Sequence, residues 1–336
     1  MRVLTGAHMR RREFIGLIGG AAVTSSIRAL AQQPERVRRI GFLFGLSEND
    51  PEARTRIAAL RQGLATTGWT ETHNIRIEYR FAGGDAERVR AYAAELVALA
   101  PDVIVAQSSP VVAALKQATS TIPIVFVLVN DPVGVGLVAS LAHPGGNITG
   151  FTFVDFEMIG KWVNLLKEIT PKVARASLMF DPDLAPYFLD YVREIETGPT
   201  KLPIEVTAAP IHNPAEIEAA IAGLAPGGGL IVAPDPFTVV NRGVIIRLAA
   251  RYRLPAIFTL RQDVVEGGLM SYGPDTADIC ERSAAYVDRI LKGAKPEELP
   301  VQAPTKYILV INLKTAAVLG VTISPTLLAQ ADEVIE

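Results

Sequence analysis

The sequence predicts an α/β protein built as two doubly wound parallel-sheet lobes joined by a hinge. Three observations predict it. Short apolar runs alternate with amphipathic helical patterns from residue 38 onward, which is how parallel strands and their crossover helices read. The alternation pauses at His143-Pro144-Gly145-Gly146-Asn147-Ile148-Thr149-Gly150-Phe151 and then restarts. The chain of 336 residues also exceeds the ~250–300 residues at which a single core stops growing.

The N-terminus reads as a leader, residues 1–31. Arg10-Arg11-Arg12 precede an apolar run from Phe14 to Val23, and Ala29-Leu30-Ala31 offers a small-residue cleavage site. Arg11-Arg12 before Glu13-Phe14-Ile15 resembles a twin-arginine export signal. The apolar run falls short of the ~20 residues a membrane span needs. Its five arginines and one glutamate, taken from 33 basic and 35 acidic residues, leave a net charge of −6 on the remainder. That excess of acid argues against a nucleic-acid partner, which wants a basic face. The single Cys280 rules out an intrachain disulfide framework and sits in an amphipathic pattern as a buried residue.

The first unit opens with the run Arg39–Phe44. Asp50-Pro51 starts a helix carrying Ile57, Leu60 and Leu64, which Gly68 ends. A strand near Ile75–Tyr79, a helix with Val89, Tyr92 and Leu96, a strand Asp102–Ala106, a helix opened by Ser109-Pro110 and a strand Pro123–Val129 follow. The second unit begins with a helix capped by Asp155. Strands at Ala176–Phe180, Ile204–Thr207, Gly229–Ala233, Ala256–Phe258 and Leu269–Tyr272 alternate with helices, and a helix with Ile279, Tyr286, Val287 and Ile290 closes the repeat.

The stretch 143–151 is read as the crossover between the units. Pro144-Gly145-Gly146 supplies the turn and Asn147–Thr152 an extended hinge. No G-x-G-x-x-G pattern and no Walker lysine stand there, so the phosphate-loop alternative lacks its motif. The expected lobes are 38–148 plus 270–295, and 149–269 plus 296–336.

Two stretches carry a family resemblance: Asp131–Phe151, DPVGVGLVASLAHPGGNITGF, and the tail from Gly267, GGLMSYGPDTADICERSAAYVDRILKGAKPEELP onward. The chain resembles the ABC transporter substrate-binding proteins of the tryptophan- and tyrosine-binding type. The resemblance implies a type I periplasmic binding fold that captures a small solute, an amino acid or small organic acid, between its lobes. It implies delivery to an ABC permease with its cytoplasmic ATPase, a periplasmic location, a monomer and no cofactor. Amino-acid-binding members commonly carry an N-P-x-x-x-N-S segment after the first strand of the second lobe. Here that segment is Phe180-Asp181-Pro182-Asp183-Leu184-Ala185-Pro186, without the asparagine-serine pair.

Ligands of open parallel sheets bind beyond the carboxyl ends of the strands. The candidates there are Ser47, Ser108, Ser109, Asn130, Asp131, Thr152, Asp181, Asp235 and Tyr272. Asp131, Asp181 and Asp235 each precede a proline, which suits a helix cap as well as a carboxylate in the cleft. Ser108 and Ser109 stand at a helix N-terminus, which favours an anion. Tyr272 suits either the core or the cleft wall.

An enzyme is the rival class, with Glu48, Asp131, Asp181 and Asp235 as possible acid and base partners. The histidines 8, 73, 143 and 212 fall in turns or at element ends, and no G-x-S-x-G, H-E-x-x-H or zinc-spaced Cys/His motif occurs. A ligand-sensing module for a membrane receptor is the third class, which the sequence does not separate from transport.

Overall fold

Strands whose two faces are both covered by helices carry unbroken apolar runs. The chain has two sets of them. The computed structural model describes residues 36–198, 202–224 and 227–336, so the expected leader, 1–31, lies outside the described residues. Arg38–Glu336 forms one compact unit.

The first sheet holds β1 (Arg38–Phe44), β2 (Ile75–Phe81), β3 (Val103–Gln107), β4 (Ile124–Val129) and β5 (Ile148–Thr152), in the order β2-β1-β3-β4-β5, all parallel. Between them run α1 (Pro51–Thr66), α2 (Ala86–Ala98) and α3 (Ser109–Ala118). Every residue of β3 and β4 is buried, as their sequences VIVAQ and IVFVLV require.

The second sheet repeats the plan. β6 (Arg175–Phe180), β7 (Glu205–Pro210), β8 (Gly228–Val232), β9 (Ala256–Phe258) and β10 (Met270–Pro274) line up as β7-β6-β8-β9-β10. Beyond β10 the tail adds antiparallel β11 (Tyr307–Asn312) and then β12 (Glu333–Ile335), which the alternation did not foretell. The helices that concern the cleft are α4 (Phe156–Ile169), α5 (Tyr187–Thr197), α6 (Pro214–Leu224), α7 (Pro236–Val240), α8 (Arg242–Arg251) and α9 (Arg261–Val265).

One helix returns to the first lobe. α10 (Thr276–Leu291) packs along α1, and Gly63 permits it: a Cβ there would stand 2.4 Å from the Glu281 carbonyl oxygen. Cys280 on this helix is buried, and burial pushes its thiol up to about 12, so it is inert packing.

Sheet membership shifts the expected lobe boundaries. Residues 148–152 pair with β4 and belong to the first sheet, so 143–147 is the turn into that strand and the crossover follows Thr152. Residues 270–274 pair with β9 and β11 and belong to the second sheet, whereas the sequence placed them in the first lobe. The chain therefore crosses three times, after β5, after β10 and on the return toward β11. The crossings are tied together: the Thr152 amide donates to Gln302 O at 2.8 Å and the Asp275 amide to Lys306 O at 2.9 Å.

Candidate functional site

In a sheet ordered 2-1-3-4-5 the connections leave strands 1 and 3 in opposite directions, and the gap between their carboxyl ends is where ligands bind. Each lobe has one such gap, and they face each other.

On the first lobe the gap lies between Gly45, after β1, and Gln107-Ser108, at the end of β3. The Gly45 amide donates to Gln107 Oε1 at 3.1 Å. Ser108 is the N-cap of α3 but makes no side-chain cap bond. Its φ of +84° is a conformation that costs a non-glycine residue about 1–3 kcal/mol. Its hydroxyl is buried and, among the described residues, has no hydrogen-bonding partner. Such an orphan needs a reason.

On the second lobe the gap lies between Asp181, after β6, and Asp235, after β8. Asp235 is 1 % exposed. Its Oδ1 accepts from the Thr238 amide at 2.9 Å and its Oδ2 from the Asp181 amide at 3.1 Å. Burial pushes its carboxyl up to about 7, against the pull of those amides, and the Asp181 charge adds to the rise.

Between the gaps Ser108, Gln107 and Arg56 of the first lobe share a space of about 20 Å³ with Phe153, Asp235 and Leu260. Farther out the cleft opens into a cavity of about 230 Å³ between Gly45, Ser108 and Arg90 on one side and Asp183 and Pro236 on the other. Arg56, on α1, is 3 % exposed. Its Nη2 donates to Glu52 Oε2 at 2.9 Å, and the same oxygen accepts from Thr276 Oγ1 at 3.2 Å. Its Nε is buried without a partner among the described residues. Nearby, an ion pair joins the lobes directly: Arg242 Nη1 donates to Asp50 Oδ2 at 3.0 Å while Arg242 Nε donates to Glu266 Oε1 at 2.9 Å.

The structure brings Ser108, Asp181 and Asp235 to the facing gaps. Asn130 braces the hinge: its Nδ2 donates to Tyr187 Oη at 2.8 Å and its Oδ1 accepts from the Val154 amide at 2.9 Å. Ser109, the first residue of α3, lies by the same tyrosine hydroxyl. The others stand apart. Ser47 is exposed in a turn, its carbonyl accepting from the Asp50 amide. Thr152 is bonded to Gln302 in the hinge. Tyr272 stacks on Tyr307 at 5.9 Å, beside Trp162.

Of the three Asp-Pro pairs, only Asp235 caps a helix. Asp131, at φ +42°, accepts from the Gly134 amide in a turn with no helix behind it. Asp181 accepts from the Asp183 amide, and α5 starts only at Tyr187. The sequence did not single out Arg56, Gln107 or Arg242. Among the described residues no group of His, Cys, Asp and Glu could hold a metal ion.

The comparisons agree on the family. The family model for "ABC transporter substrate binding protein" matches residues 49–335. The tyrosine-binding protein of Clostridioides difficile (strain R20291) is 27% identical over 255 residues, 76% of this chain and 73% of that protein. A conserved domain protein from Vibrio cholerae superposes with a TM-score of 0.82 at 29% identity, over 89% of this chain and 100% of that one. The ABC domain in complex with L-Trp from Streptococcus pneumonia superposes with a TM-score of 0.80 at 25% identity, over 89% and 99%. With its two facing switch points and the match over nearly all of Arg38–Glu336, this chain belongs to the ABC transporter substrate-binding protein family.

Proposed function

We propose that the chain is the solute-capturing subunit of an ABC importer, holding a small amino acid or organic acid between its lobes and handing it to a permease driven by a separate ATPase. The observation that carries this reading is the buried Ser108 hydroxyl at the α3 N-terminus, unpartnered among the described residues and opposite the buried Asp235 carboxylate. A helix N-terminus favours a negative group and a buried carboxylate favours a positive one. A zwitterion suits that pair. Aromatic amino acids stand first because the similar proteins include a tyrosine-binding protein and a complex with L-Trp.

Capture follows from the hinge. The 20 Å³ between the gaps suits about one water, so a solute enters only when the lobes part about the three crossings. Closure then adds the second lobe's contacts, and the solute shifts the equilibrium by its differential affinity for the closed form. Members of this family work outside the cytoplasm. On the leader reading of residues 1–31 we take this one to work in the periplasm, and on the family resemblance to be a monomer.

The test is a thermal-shift screen of the purified chain against aromatic and branched amino acids, aromatic acids and nucleosides. A ligand at 100 times its dissociation constant stabilises by about 2.7 kcal/mol. A shift confined to amino acids or organic acids is the expected result. A shift with nucleosides alone, or with nothing, overturns it.

A further inference from the structure

Solute capture leaves one group in the cleft without a role. Arg56 is a cation 3 % exposed, yet among the described residues its ion-pair partner is Glu52, one helical turn away on the same helix. An i,i+4 pair of this kind ordinarily lies in water on a helix surface. Here α10 covers it: Thr276 donates to the same Glu52 oxygen that holds Arg56. The guanidinium is thus fixed by one edge while Nε stays unpartnered and the side chain lines the space that Ser108 also lines.

We propose that Arg56 and Ser108 form a carboxylate subsite on the first lobe, with Arg56 the residue that selects a free carboxylate over its amide. The proposal rests on the solute-capture reading and names the chemistry that the site accepts. Two independent orphans converge on one space, a hydroxyl and a guanidinium N–H, and both can donate to an anionic oxygen. The α3 N-terminus adds its dipole with the same sign. A guanidinium matches the planar two-oxygen geometry of a carboxylate, which an ammonium does not. An amide offers one acceptor oxygen and turns an NH₂ toward these donors, so it leaves one of them unmet.

The experiment is calorimetric titration of the wild-type chain with matched probes: L-tyrosine and L-tyrosinamide, L-tryptophan and L-tryptophanamide, phenylacetate and phenylacetamide. The acid of at least one pair is expected to bind at least 30-fold more tightly than its amide. Arg56→Gln is expected to collapse that ratio to below threefold by weakening the acid alone, and Arg56→Lys to restore part of it. Because Arg56→Gln strands Glu52, the double variant Glu52→Gln/Arg56→Gln, checked by circular dichroism, serves as the fold-preserving control. An acid and amide that bind wild type within threefold of each other overturn the proposal. So does full discrimination in the double variant, and so does binding of amides but no carboxylate. Phenylacetate binding without either amino acid supports the Arg56 subsite and identifies the captured solute as an organic acid.

Discussion

The two lobes share a strand order but present opposite chemistry at their gaps. At the first gap the Gly45 amide is accepted by Gln107, a neutral side chain, and the groups left over are donors: the Ser108 hydroxyl and Arg56 Nε. At the second gap the equivalent amide, that of Asp181, is accepted by the carboxylate of Asp235. One side chain in each lobe closes the turn after the first strand. Its charge decides what the remaining surface wants. Repetition of a fold thus fixes where a site lies, while the side chains beside each gap set its polarity.

The sharpest way to probe this contrast is pH. Asp235 titrates at about 7 in the folded chain against 3.8 for an ordinary aspartate, and Asp263, buried and facing Glu52, at about 8. The folded state therefore holds more protons than the unfolded one between about pH 4 and 8. Stability contributed by these groups is present below pH 4 and falls as pH rises through that window, then levels off. For Asp235 alone the fall is of order 4 kcal/mol at most. Denaturant titrations at pH 5 and 8 should show it. An ammonium ligand lodged at Asp235 reverses the sign for binding: affinity should rise from pH 5 to 7 as the carboxyl loses its proton. Affinity that is flat over this range would remove Asp235 from the contact.

The second test addresses the contact between the lobes. Asp50 and Arg242 pair across the cleft with both side chains only 9% exposed. Asp50→Asn keeps the N-cap of α1, since asparagine caps as well as aspartate. It leaves Arg242 with Glu266 alone. Loss of one member of a buried pair should cost about 3 kcal/mol. Faster amide exchange at the lobe faces, with the sheet interiors unchanged, would show that the ion pair holds the lobes and not the cores.

How far the sequence foretold these features depends on whether a neighbour or a distant segment decides them. The repeated alternation of strand and helix was legible because apolar runs and helix patterns are local. Which sheet a strand joins was not: residues 270–274 read the same whether they pair with β9 or with the first lobe. The three Asp-Pro pairs show the same divide at close range. Asp235 caps because Thr238 stands three residues on and completes the box. At Asp131 the glycines 134 and 136 disfavour a helix, and after Asp181 a second proline, Pro186, defers it to Tyr187. Arg56 escaped notice because Glu52 and Arg56 look like a surface pair. Their burial comes from α10, more than 200 residues later in the chain.

The smallest expected effect isolates the first gap. Ser108 sits at φ +84°, where glycine rests without strain and alanine does not. Ser108→Gly should therefore be more stable than Ser108→Ala by about 1 kcal/mol. Both variants delete the orphan hydroxyl, so both should bind a carboxylate ligand about tenfold more weakly, the worth of one hydrogen bond to a charged group. Stability and affinity are thereby separated: the backbone strain is read from the difference between the two variants, the hydroxyl's role from what they share. Should Ser108→Gly gain stability and keep full affinity, the strained turn would be a feature of chain geometry alone. The anion would then be held by Arg56 and the helix terminus without it.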